Sequence, residues 1–316
     1  MISLVSISAS PILGGYAFET GKGHTPILLV KEKPVQNALK WIRENTDENA
    51  IIAAHWEYGS WINLLGNRAT IVDEQQLVSW TKNMAKKVFI GSSVIDALEF
   101  LKSHNADYLF MTVRRSKTLN QMSREAGIHE DFLGVQTFGN VIQETEIKAE
   151  MGEIRCFRYC MPDWQFVFVD SDLTLNGKTY SAGEWCISSV YLQIEEAAGS
   201  MEIIKVLVEL CIENKAIYLA PQHIYYKNRI HCIENTDYLP GSMIICMERN
   251  DMNDPEKWHV AYLDSRTQEL MVIRVLLLNE MPEIFERVYP PSGTLETSEY
   301  RAQVWRIHYP SEVKRR

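Results

Sequence analysis

One short run of the sequence gathers side chains capable of chemistry: His55, Trp56, Glu57, Tyr58 and Gly59, at the head of the segment His55 to Gln75. It follows Ala50 to Ala54, a short apolar stretch suited to a buried strand. The ends of parallel strands are where α/β proteins place their ligands. Trp and Tyr offer flat apolar faces with a polar edge, and Glu accepts hydrogen bonds. Such a cluster suits a small hydroxyl-bearing side chain. The methyl of a threonine would pack on Trp56 while its hydroxyl donates to Glu57. The same residues also read as the plain start of a helix, with Trp56 and Trp61 in the core and Glu57 stabilised by the helix dipole. Residue types alone leave both readings open.

The elements that must hold this run alternate between helix and strand. Pro34 suits a first helical turn, and Val35, Ala38, Leu39 and Ile42 follow at helical spacing. A second helix is expected over Tyr58 to Leu65, stopped by Gly66-Asn67, and then a strand over Ala69 to Asp73. Ser93 caps a helix over Val94 to Ser103, Asp107 to Met111 reads as a strand, and Lys117 to Ala126 as a helix closed by Gly127. After about residue 150 the pattern changes to strands, with Asn176-Gly177 as a hairpin turn. One helix is expected there, over about Ser200 to Asn214, because Ile203, Leu207, Leu210 and Cys211 fall on one helical face. The run ELMVIRVLLL reads as a further strand. The fold class is therefore mixed α/β: residues 1–27 as a leader, 28–150 as an α/β domain with a mostly parallel sheet, and 151–316 as a β-rich antiparallel barrel or sandwich.

Other constellations are weaker. Asp170 and Asp172 form a DxD pair whose carboxylates share a strand face, as metal-dependent sugar-nucleotide transfer requires, or else mark a solvated turn. Cys156 and Cys160 fit no zinc spacing, and the six cysteines read as buried thiols with room for one disulfide in an oxidising compartment. No HExxH or GxSxG occurs. A net charge of −9 argues against nucleic acid as a partner. No run approaches the roughly 20 apolar residues of a membrane helix. Residues 1–18 carry no charged side chain and read as a strand, a leader or the trailing edge of such a helix.

The segment HWEYGSWINLLGNRATIVDEQ resembles the WWDYG region of oligosaccharyltransferase catalytic subunits, especially the archaeal type. The matching residues are Trp56, Tyr58, Gly59, Trp61, Ile62, Gly66, Asn67, Arg68 and Asp73. The likeness extends over about residues 34–128 and 258–309, and is weaker over 150–257. Two positions depart from the pattern: His55 stands for the first Trp and Glu57 for the Asp.

The resemblance implies that His55, Trp56, Glu57 and Tyr58 hold the Ser/Thr of an Asn-X-Ser/Thr acceptor. A nearby helix, RRSKTLNQMSREAG, would add Met122 as an apolar wall and Lys117 as a basic one. It implies no catalytic residue and no cofactor in this chain. A divalent cation, Mn or Mg, and the lipid-linked oligosaccharide would belong to a membrane domain of the same enzyme, at the extracytoplasmic face of the cell membrane. The chain would thus serve protein N-glycosylation, or be a non-catalytic peptide-binding or scaffolding module derived from that domain.

Overall fold

The computed structural model describes residues 33–73, 78–112, 116–130, 132, 135–138, 140–149, 152–161, 167–168, 172–175, 177–197, 200–227, 229–233, 238–247, 254–291 and 302–313. Helix α1 (Lys33–Asn45) buries Val35, Ala38, Leu39 and Ile42, the face that its spacing marked. Each of the branched residues there contributes about 1.5–3 kcal/mol by leaving water. Strand β1 (Ile51–Ala53) runs into α2 (Trp56–Trp61), which continues as a π-helical turn, Ile62–Gly66. Asn67 ends it in the left-handed region at φ 49°. Then come β2 (Ala69–Thr70), α3 (Val78–Met84) with its π-helical extension Ala85–Phe89, α4 (Val94–Ser103), β3 (Tyr108–Thr112) and α5 (Ser116–Ala126). Ser93 caps α4 by accepting from the Asp96 amide at 3.2 Å.

The β-rich part follows: β4 (Gln136–Phe138), β5 (Asn140–Ala149), β6 (Gly152–Cys160), β7 (Val167–Phe168), β8 (Leu173–Leu175), β9 (Lys178–Tyr180), β10 (Trp185–Ala197), β11 (Ser200–Ile212), β12 (Lys215–Tyr226), β13 (Arg229–Cys232), β14 (Tyr238–Met247) and β15 (His259–Leu263). Eight of them run in the order β4-β15-β14-β12-β11-β10-β6-β5, with β13 and β7 attached at the side. Its two edges, β4 and β5, are separated in the chain by a single residue. The sheet must therefore curl until its edges nearly meet, which gives the barrel-like form. All its pairings are antiparallel except β12 with β14. Alternate residues such as Val190, Leu192 and Ile194 point inward, onto Phe157, Tyr159, Val208 and Leu210.

After β15 the chain makes two short helices, α6 (Ser265–Gln268) and α7 (Met271–Leu276), and closes with β16 (Phe285–Tyr289) and β17 (Ala302–Ile307). The first sheet has the order β16-β17-β3-β1-β2. Its β1, β2 and β3 are mutually parallel, as the alternation of helix and strand predicts, and β17 and β16 extend it antiparallel. The division at residue 150 does not describe this connectivity. Strands β4 and β5 already belong to the barrel, and the last two strands return to the first sheet. One core cluster crosses between the two units: Met243, Ile245, Ala261 and Leu263 of the barrel pack with α7 and with Leu109, Met111 and Trp305 of the first sheet.

Two expected elements are corrected. The segment Ser200–Ile212 is a strand, not a helix. Val206, Val208, Leu210 and Ile212 are buried at a period of two, and β10 and β12 pair on either side. That pattern and the β-branched content override the accidental helical spacing. The run ELMVIRVLLL is helical rather than extended, in α7. Met271, Val272, Ile273, Val275 and Leu276 are all buried between the two units, and Arg274 alone is polar, donating to Glu280 at 2.7 Å and to the Ser92 carbonyl at 2.9 Å. The Asp264 side chain caps the preceding α6, accepting from the Thr267 amide at 2.8 Å.

Candidate functional site

The three parallel strands end on one side of the first sheet, and the aromatic–acid run lies across those ends. His55 and α2 follow β1. The Tyr58 hydroxyl lies 3.3 Å from Thr112 Oγ1 at the end of β3, and its ring meets Phe110 edge-on at 5.2 Å. Gly59 faces the chain just after β2. A Cβ on it would stand 2.2 Å from the Val72 carbonyl oxygen and 2.6 Å from Asp73 Cα. Only glycine lets the helix approach so closely. Asn63 donates to Asp73 Oδ2 at 3.3 Å, so the same contact is tied a turn later.

Arg68 explains the Gly-Asn-Arg turn. Its buried guanidinium donates to Thr46 Oγ1 at 2.9 Å and to the carbonyls of Asn67, Arg43 and Thr46 at 2.7, 3.0 and 2.6 Å. Those of Arg43 and Thr46 lie at the C-terminal end of α1, where carbonyls lack helical partners. Left-handed Asn67 turns the chain so that Arg68 can reach them. The turn thus docks α1 on the element that carries the site.

Within the run, the four expected residues have different fates. His55 is buried, with 2% of its side chain exposed, and its ring packs edge-on against Phe89 at 5.9 Å. Its Nε2 pairs with Glu125 Oε2 at 3.0 Å. The indole N–H of Trp56 donates to Glu125 Oε1 at 3.1 Å, and Gln121 donates to the same oxygen at 3.0 Å. His55 Nδ1 makes no hydrogen bond, although Glu57 Oε1 stands 3.5 Å away. Nε2 thus carries the proton that the Glu125 carboxylate accepts. Glu57 keeps 35% of its side chain exposed, and Trp56 is partly exposed beside it. A carboxylate and an indole at successive positions of α2 thus both reach solvent in part at the strand ends.

Helix α5 does reach this site, but through a different residue. Met122 is fully buried in the main core and cannot line a ligand surface. It fills volume, as an unbranched thioether does readily. The contact comes from Glu125, one turn later, which the sequence reading missed. An acidic residue on the helix after β3, on the side where β1 also ends, is the signal that was there to find. Burial pushes the Glu125 carboxyl up, but donors from His55, Gln121 and Trp56 outweigh it, and the group sits below its ordinary value. The side chain of Lys117 and the residue Asp170 lie outside the description. Asp172 accepts from the Ala182 amide at 3.1 Å, which ties it to the turn after β9. Among the described residues no group of three His, Cys, Asp or Glu side chains could hold a metal ion, and no helix is long and apolar enough to cross a membrane.

No family model matches the chain. Over 80 residues, 24% of the chain, it is 31% identical to the subunit STT3 of the dolichyl-diphosphooligosaccharide–protein glycosyltransferase of Saccharomyces cerevisiae; the match spans 10% of that protein. Among solved structures, the C-terminal domain of C. jejuni pglb aligns with 87% of this chain and 100% of its own, at 11% identity and TM-score 0.39. The C-terminal globular domain of an oligosaccharyltransferase from Pyrococcus abyssi aligns with 86% of this chain and 50% of its own, at 11% identity and TM-score 0.41. That of Archaeoglobus fulgidus aligns with 30% and 67%, at 19% identity and TM-score 0.27. In sequence, then, about a quarter of the chain is similar to an oligosaccharyltransferase subunit.

Proposed function

We propose that this chain is the acceptor-recognising part of an oligosaccharyltransferase acting in protein N-glycosylation. The observation that carries the reading is the pair of partly exposed side chains Trp56 and Glu57, at the C-terminal ends of three parallel strands. The Ser/Thr hydroxyl of an Asn-X-Ser/Thr acceptor donates to Glu57, and the threonine methyl packs on the Trp56 ring. Glu125 holds the indole at the angle that this packing needs. Tyr58, anchored at Thr112, forms the floor on the far side. Glycan transfer belongs to a membrane domain of the same enzyme, which holds the lipid-linked oligosaccharide and its divalent cation. The site then works at the extracytoplasmic face of the cell membrane.

The test compares two peptides, Asn-X-Thr and its isostere Asn-X-Val, for binding to the full chain. A hydrogen bond to a charged acceptor is worth about 1.5–3 kcal/mol, so the hydroxyl peptide binds roughly 10- to 100-fold tighter. Glu57→Gln shrinks that ratio, and Trp56→Ala weakens both peptides. Equal binding of the two peptides by the unaltered chain would sink the assignment.

The binding of His55 to Glu125 also favours a second reading, a module that binds peptide without taking part in transfer. It predicts the same peptide preference, with Glu57→Gln leaving glycan transfer in membranes unchanged.

A further inference from the structure

The six cysteines are all in the thiol form in the structure. Their places in the barrel differ sharply. Cys156 faces Gln193 and Thr145 across its two strand neighbours, and Cys160 faces Ser189 and Asn140. These two lie four residues apart along β6, about 13 Å at the strand rise, well beyond disulfide reach. Cys232 faces His223, and Cys246 faces Val260. Cys186 on β10 stands directly opposite Cys211 on β11. Directly opposed residues of an antiparallel pair have Cα atoms about 4.5 or about 5.5 Å apart. Both values fall inside the range of about 4.4–6.8 Å that disulfides span. Opposed residues also project to the same face of a sheet, so the two thiols are neighbours. The Cys186 thiol lies 3.8 Å from the Cys211 carbonyl oxygen.

We infer that Cys186 and Cys211 form a cross-strand disulfide when the protein meets a disulfide oxidant. The proposal concerns the barrel and does not depend on the acceptor-site reading. The link joins β10 and β11 at the open end of their long hairpin, beside the irregular register between Ile187 and Ser189. It fastens the end of the hairpin that the turn does not.

The order of events follows from access. Burial pushes the Cys186 thiol up to about 11, and the neighbouring Cys211 thiol adds to the rise. Cys186 is buried while Cys211 is partly exposed. Cys211 therefore reacts first. Its thiolate attacks one sulfur of the oxidant disulfide, whose other sulfur leaves as a thiolate and takes a proton. Cys186 then gives up its proton and attacks the Cys211 sulfur of the mixed disulfide, releasing the second oxidant thiol. Two protein thiols become one disulfide, and one oxidant disulfide becomes two thiols.

The full chain is incubated with oxidised glutathione, the remaining thiols are alkylated, and its peptides are mapped by mass spectrometry. The expected result is that Cys186 and Cys211 both escape alkylation without carrying glutathione, whereas the exposed Cys232 takes up a glutathione adduct. The peptides of Cys186 and Cys211 are then joined, and the thermal midpoint lies above that of the reduced chain. In Cys186→Ser the reaction stops at a glutathione adduct on Cys211, and the midpoint does not rise. Retention of all six thiols in the unaltered chain overturns the proposal. So does a link between any other pair, or arrest at the Cys211 adduct with Cys186 present.

Discussion

Replacing Glu125 by alanine removes the shared acceptor of three donors; the exposed Gln121 turns to water, so the loss falls on His55 Nε2 and the Trp56 indole N–H. The two losses differ in size. The His55 ring is almost wholly buried, so water cannot take the place of the carboxylate. An orphaned buried donor costs about 1–3 kcal/mol. Trp56 is partly exposed, and water restores part of its bond, which leaves about 0.5–1 kcal/mol. Together the variant loses about 1.5–4 kcal/mol, from a total stability that is itself only about 5–15 kcal/mol. Urea unfolding followed by circular dichroism reads this loss. Trp56→Phe keeps an aromatic ring and removes only the indole donor. The double-mutant cycle of the two changes then isolates their bond, with an expected coupling of about 0.5–1.5 kcal/mol. A Glu125→Ala cost within about 0.5 kcal/mol, the level of an ordinary surface change, would refute the bracing role. So would a coupling energy of zero.

Further perturbations test the same architecture. Because Glu125 is held below its ordinary value of 4.5, its contribution is complete above that value and disappears as pH falls through the lowered one. Stability measured against pH below 4.5 should therefore fall less steeply in Glu125→Gln than in the unaltered chain. Gly59→Ala drives a Cβ into the Val72 and Asp73 backbone and costs at least about 1–3 kcal/mol, visible as a lowered thermal midpoint; an unchanged midpoint would mean that α2 does not pack there. Arg68→Met keeps the apolar stem and abolishes four hydrogen bonds, for a loss of about 2–4 kcal/mol in the same assay. Lys at that position should recover little, because an ammonium lacks the planar fork.

The elements most legible in the sequence were those with both a pattern and a stop signal. Helix α4 has Ser93 before it and a clean apolar face, and its bounds match the expectation. Strands β1 and β3 were apolar runs between helices. The errors came where two periodicities coexist. In Ser200–Ile212 a helical set and an alternating set are both present, and only pairing by β10 and β12 decides between them. In α7 five residues are buried and Arg274 alone is polar, too little to reveal a period. The site was half legible. The run from His55 to Gly59 announces itself by residue type, yet its partner Glu125 lies 70 residues away from His55 and makes sense only once β1 and β3 are parallel. Met122 was more conspicuous than Glu125 because an apolar residue on a pocket-facing helix invites a ligand role, whereas its spacing served the core.

Strand β17 has a consequence for how this protein is made. It pairs with β3 through Ala302 to Arg306, so the sheet that carries the site is finished by residues nearly two hundred positions downstream. On the ribosome, α1 to α5 emerge long before that strand, and the barrel must be synthesised in between. Until then one side of β3 presents unpaired backbone groups, the kind of edge that invites pairing with another chain. A gene truncated before residue 302 would lose more than a tail. It would leave the acceptor-site sheet open along β3, and such a product belongs to the chaperones and proteases of the cell rather than to its soluble pool.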